Sequence, residues 1–159
     1  MKRLIVAVAV AVAGALVMAT VALAQSGHFI ENGAGAPKCT DIGTQVTCTG
    51  KVAGLGGETF EITIVAEGIA SVVCINPAGH RAPGQDTAVT VPGTTGPLPT
   101  PQNGQFVFGI TTDNPEPLPP TPTCPNDQWT PVITDVTFTS VLLSLFEDGS
   151  LSDTFTFTF

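Results

Sequence analysis

Positive charge is scarce in this sequence, and so is histidine. Its 159 residues hold five Lys and Arg against thirteen Asp and Glu, a net charge of −8, with two His, one Trp and no Tyr. Two of the five basic residues, Lys2 and Arg3, open the chain. Beyond residue 24 only Lys38, Lys51 and Arg81 remain, three basic against thirteen acidic, a net charge of −10. Neutralising phosphates requires Lys and Arg, so nucleic acid is excluded as a partner.

The shortage of histidine narrows the catalytic options. An activated nucleophile needs a neighbouring base, and only His28 and His80 could be a histidine base. No G-x-S-x-G elbow is present. Two separate histidines do not give metal-ligand spacing. A copper site would need cleavage after Gly27 to free His28, with His80 as its partner, and Gln25 and Gly27 suit signal peptidase poorly. Asp148, Gly149, Ser150 and Asp153 lack the oxygen spacing of a calcium loop and read as turn chemistry. Glu61 and Glu67 would lie roughly 20 Å apart on an extended strand, too far for a glycosidase pair. No cofactor and no metal are expected.

What is present begins with an export signal. Lys2-Arg3 precedes an apolar run from Leu4 to Ala24, which ends in Ala22-Leu23-Ala24, a small-x-small site. The expected organisation is a signal peptide over 1–24, an N-terminal arm over 25–38 and one domain over 39–159. The arm is expected to be flexible or loosely docked, with His28, Phe29 and Ile30 as its anchors. The alternative for the first segment is an uncleaved anchor, since about twenty apolar residues span a bilayer. Cleavage would leave a secreted chain with no membrane attachment.

Four cysteines in an exported chain read as two disulfides. In CTDIGTQVTC, a two-residue turn at Gly43-Thr44 has Gly at its first central position. That register sets Asp41 against Val46 and Cys39 against Cys48, within bridging distance. Cys74 and Cys124 then remain for each other.

Alternation supplies the fold. Val46, Cys48 and Val52 share one parity, as do Phe60, Ile62, Ile64 and Ala66. Period-2 runs mark strands with one buried face. Glu67-Gly68 reads as a turn before a further strand, Ile69 to Ile75. Short strands follow at Thr87 to Val91 and Phe106 to Thr111. Val132 to Phe146 holds one or two strands around a parity switch near Thr139-Ser140. Asp148-Gly149 signals a hairpin, and in SDTFTFTF the residues Phe155, Phe157 and Phe159 share a face. Seven or eight strands and no amphipathic helix predict an all-β, antiparallel, immunoglobulin-like β-sandwich. A small barrel is the alternative.

Two proline clusters, PGTTGPLPTP (92–101) and NPEPLPPTPTCP (114–125), flank the Phe106 strand. Stiff extended connections are expected there; a presented recognition surface is the alternative. Ala53-Gly54-Leu55-Gly56-Gly57 could imitate a phosphate cradle, but it opens no helix and reads as a tight turn. Trp129 is expected as a core plug beside Cys124, or else as a sugar platform.

Three segments carry a resemblance: GKVAGLGGE (50–58), CINPAGHRAPGQ (74–85) and CPNDQWTPVITDVTFTS (124–140). In these the chain resembles a diffuse group of small secreted bacterial proteins of uncharacterised function. The resemblance covers most of the chain beyond the signal and implies secretion, but no activity. Asn76-Pro77-Ala78-Gly79 and Gly54-Leu55-Gly56-Gly57 also echo the loops of immunoglobulin-like cysteine-protease inhibitors. Their chain order is reversed and the Arg-Pro-Trp element is missing.

The function expected is non-enzymatic: surface binding or a structural role at the cell envelope or outside the cell. The expected contact residues are Asn76, His80, Arg81 and Trp129, facing an extracellular or envelope partner. Alternatives are an enzyme or metal-dependent catalyst using His80, a carrier of a small apolar ligand between the sheets, and a protease inhibitor.

Overall fold

The computed structural model describes residues 26–159. The signal peptide and its cleavage site, read at 1–24, lie outside the described residues. The chain is all-β and antiparallel, folded as two facing sheets.

The smaller sheet is centred on β3 (Val46–Ala53). One edge of β3 pairs with β8 (Phe106–Thr111). The other pairs in tandem with β2 (Lys38–Asp41) and β1 (His28–Phe29). The larger sheet is centred on β4 (Thr59–Ile75), which pairs along its length with β9 (Thr130–Glu147). Beyond β9 lies β10 (Ser150–Thr158). Three short pieces share the opposite edge of β4: β5 (Arg81–Pro83), β6 (Thr87–Thr94) and β7 (Leu98–Pro99). In immunoglobulin lettering, β2, β3 and β8 are A, B and E, facing C′, C, F and G in β6, β4, β9 and β10. Neither disulfide crosses between B and F as in antibody domains.

The alternating residues close the sandwich. Val46, Cys48, Val52, Phe108 and Ile110 face Ile62, Ile64, Ala66, Leu143 and Leu145 in one buried cluster. Phe29 meets Phe108 edge-on with centroids 5.7 Å apart, and Phe60 meets Phe106 at 5.0 Å.

Glu67-Gly68 is not a turn. β4 runs straight through it, with every even residue from Phe60 to Cys74 on the inner face. The irregularities belong to β9. Glu67 faces Ser140 while Gly68 faces Phe138, so Thr139 is an extra residue; Thr134 is another. Such bulges switch the inward parity of a strand. Val136 and Phe138 are buried before Thr139, and Val141, Leu143 and Leu145 after it. The hydroxyls of Thr134 and Thr139 donate to the carbonyls of Ser71 and Glu67. Gly68 is needed here, because a Cβ would meet the Thr137 carbonyl oxygen at 2.6 Å. The parity switch near Thr139 is therefore a bulge within one strand.

The arm is not loosely docked. Phe29 is 1% exposed in the core, and His28 and Phe29 pair with Ala53 and Val52. Gly43 has a positive φ of 99°, and the hairpin pairs Cys39 with Cys48 as its spacing requires. Both disulfides, Cys39–Cys48 and Cys74–Cys124, are formed.

Both proline clusters pack into the fold. β4 and β9 reach beyond the smaller sheet, and the connection after β8 covers the inner face they leave. Leu118 packs on the core, Thr123 and Cys124 are buried, and the Gln85 N–H donates to the Thr123 carbonyl. A single turn, α1 (Pro120–Thr123), leads into the disulfide. In the first cluster, Leu98 packs on the core and Pro99 pairs with Thr59.

Candidate functional site

The segment CINPAGHRAPGQ is a hairpin. Ile75 pairs with Arg81, and Cys74 with Ala82. Asn76 closes the turn from within. Its Oδ1 accepts from the N–H groups of Ala78 (3.0 Å) and His80 (2.9 Å). Its own N–H donates to the His80 carbonyl, and its carbonyl accepts from Gly79. An Asn side chain that mimics a backbone turn fixes a loop in this way. Asn76 is thus a positioning residue, while His80 and Arg81 are exposed on the loop it holds.

The structure gathers the four sequence-predicted residues at one end of the larger sheet. Ile75 lies between Arg81 on β5 and Thr130 on β9, and Trp129 precedes Thr130. The Trp129 N–H donates to the Asn126 carbonyl. Its ring is half-buried and takes no part in the core cluster, so the expectation of a core plug is corrected. The reason is that Leu118, Thr123 and the disulfide already cover the inner face there. Beside the hairpin, Val73, Arg81, Pro83, Asp86 and Thr134 line an open groove of about 420 Å³. It offers one guanidinium and one carboxylate above an apolar floor.

Among the described residues, the His80 ring has no hydrogen bond to a hydroxyl or carboxylate. His28 sits at the far end of the sandwich, where its Nδ1 meets the Ser26 carbonyl at 3.0 Å. The two histidines of the copper reading are therefore separated by the length of β4. The same holds for the two inhibitor-like loops, Asn76–Gly79 and Gly54–Gly57. Glu61 points outward, where Thr94 donates to it.

At that far end the sequence reading missed a second constellation. Glu147 is fully buried at the end of β9. Its Oε1 accepts from Gly56 N–H (2.7 Å) and Gly57 N–H (3.3 Å), and its Oε2 from Gly27 N–H (2.9 Å). Ser152 Oγ lies 2.7 Å from Oε2 and 2.8 Å from the Gly27 carbonyl; its single proton serves one at a time. Burial alone would push the Glu147 carboxyl up. The Gly56 amide, the Ser152 hydroxyl and the Gly27 and Gly57 amides outweigh burial and hold it below its ordinary value. Asp148 accepts from the N–H groups of Glu58 and Thr59, and Asp153 from that of Phe29. The glycine-rich loop is thus an anion cradle filled by the protein's own carboxylate. Both neighbouring glycines leave the space that the carboxylates occupy. A Cβ on Gly27 would meet Glu147 Oε2 at 2.8 Å, and one on Gly57 would meet Asp148 Oδ2 at 2.6 Å. The signal was the pairing of G-L-G-G with a distant Glu-Asp-Gly, which sequence alone does not connect.

Neither a protein-family model nor a curated protein matches this chain. Among solved structures, it is similar to a β-glucuronidase of Bacteroides uniformis at 13% identity and a TM-score of 0.35, over 82% of this chain and 14% of that one. It is also similar to a β-glucuronidase from glycoside hydrolase family 2, at 12% identity and a TM-score of 0.30, over 82% and 12%. The chain spans about a seventh of the length of these enzymes, and nothing about its function rests on the likeness.

Proposed function

We propose that this protein is an exported, non-enzymatic β-sandwich that binds a cell-envelope or extracellular partner through its β4–β5 end. The observation that carries the reading is the Asn76-pinned hairpin. It presents His80 and Arg81 outward, beside the half-exposed Trp129 and over the Arg81–Asp86 groove. A rigid loop binds at less entropic cost than a mobile one, and Cys74–Cys124 anchors this loop at its base. Arg81 is one of three basic residues beyond residue 24. The partner chemistry that fits it is a carboxylate beside an apolar or ring surface that lies on Trp129.

Export is supported by the sequence signal and by two disulfides, which are compatible with an oxidising compartment. Among the described residues no helix is long and apolar enough to cross a membrane. The phenylalanine rings fill the space between the sheets, which counts against a carrier of apolar ligands.

A photo-crosslinking residue placed at His80, with a control at Asn103 near the opposite end, tests the proposal in the producing cells. Adducts to an envelope or medium component should form from position 80 and not from 103. Equal labelling from both positions, or none from either, would discard the reading.

A further inference from the structure

The larger sheet has two unlike edges. One is cut into β5, β6 and β7, which carry Pro83, Pro92 and Pro99. Proline removes a donor and blunts an edge against further pairing. The other edge is β10, nine residues without Pro, Lys or Arg. Its one charge is Asp153, already engaged by the Phe29 N–H.

The register shows which groups of β10 face outward. The Phe159 N–H donates to the Thr139 carbonyl, Thr158 lies opposite Ser140, and Phe157 opposite Val141. Antiparallel alternation then turns the N–H and C=O of Phe155 and Phe157 toward β9. Those of Thr154, Thr156 and Thr158 turn away, and no hydrogen bond among the described residues takes them up. The three threonine side chains are exposed, while Phe155 and Phe157 pack against the core.

We propose that β10 is a self-association edge, on which a second copy adds its own β10 antiparallel about a two-fold axis at Thr156. The register follows from the outward groups. Thr156 pairs with its symmetry mate, and Thr154 with Thr158 of the second copy, forming about six backbone hydrogen bonds. Phe155 then faces Phe157 on the inner side, where aromatic cross-strand pairs are favourable. Such an interface is self-complementary, as a two-fold requires. Charge selects the same occupant. No side chain of residues 154–159 is charged, in a chain that is otherwise strongly acidic. A basic partner would be drawn to the acidic surface rather than to this stretch, whereas two copies repel least where neither carries charge.

Sedimentation of the exported chain at about 0.1 M and about 1 M salt tests this, since the Debye length falls from about 10 Å to about 3 Å. A dimer that strengthens with salt is expected. Thr156→Pro removes an outward donor and leaves the β9 ladder intact. Thr156→Lys sets two like charges on the axis. Each should raise the dissociation constant at least about tenfold, with an unchanged urea midpoint, measured at a dilution where the parent is also monomeric, showing that the fold survives. Thr156→Cys should crosslink to itself under mild oxidation, and Thr90→Cys, on the exposed face of β6, should not. A monomer at both salt concentrations overturns the proposal, as does a dimer indifferent to all Thr156 variants. So does β10 protection that appears only when a foreign extended peptide is added.

Discussion

The two ends of β4 solve opposite problems with similar loops. At its start, Gly54–Gly57 wraps the buried carboxylate of Glu147, and the carboxylates of Glu147, Asp148 and Asp153 each accept from at least one backbone N–H. At its finish, Asn76 satisfies its own turn and leaves His80 and Arg81 facing solvent. One end uses charge to close the fold. The other is closed by a disulfide and leaves its charge free. An acidic protein can hold carboxylates inside only where amides converge, because each must replace the water it loses. The glycines supply that convergence, since no side chain intervenes between amide and carboxylate. Function is therefore expected at the end where polar groups are not consumed by the fold.

The staple at the open end is the first place to press this contrast. Replacing Cys74 and Cys124 together by Ala should cost about 4 kcal/mol in the chain-entropy model, against about 2.7 kcal/mol for Cys39 and Cys48. The longer loop explains the order. Urea unfolding of the two double variants measures both values. Equal losses would show that native packing around Thr123, rather than the constraint on the unfolded chain, governs the open end.

Glu147→Ala should be nearly as damaging, at about 3 kcal/mol, because it strands the buried amides of Gly27 and Gly57 and removes the acceptor of the Gly56 N–H. Acid should reach the same interactions without mutation. The folded-state pKa of Glu147 lies below its ordinary value of 4.5. Its contribution is therefore fully present above that value and is lost as pH falls through the depressed one. Glu147→Gln removes this titration. The drop in urea midpoint between about pH 6 and about pH 3 should be larger in the parent protein than in this variant. Identical drops would mean that Glu147 is not the acid-sensitive group of the closed end.

How much of this could be read in advance differs between the two ends. The Cys39–Cys48 register was legible, because a two-residue turn and its flanking alternation are local. The strands were legible in type but not in extent. Gly68 signals a turn to any local reading, and only the Thr137 carbonyl, brought in from β9, explains it as a close approach. Likewise the parity switch at Thr139 was visible, while its cause, an extra residue opposite β4, required the partner strand. The loop bearing His80 could be found because its composition is unusual. The Glu147 cradle could not, since Gly27, Gly56 and Glu147 are up to 120 residues apart. Trp129 misled for a related reason. A lone tryptophan beside a cysteine suggests core, but the proline-rich connection already occupies that space.

Smaller effects separate holding the open end from using it. Asn76→Ala removes the acceptor of two turn amides and should cost about 1 kcal/mol, with faster proteolysis confined to 76–81. Arg81→Ala should change stability by no more than about 0.5 kcal/mol, as an exposed substitution touching no buried group does. If the hairpin is the binding surface, Arg81→Ala should abolish the crosslink from position 80 at unchanged stability. Asn76→Ala should weaken that crosslink only in proportion to the loosening of its loop. A stability loss at Arg81 as large as that at Glu147 would erase the distinction between the two ends. Its guanidinium would then be part of the fold, held by Asp86 across the groove, rather than a group left free for a partner.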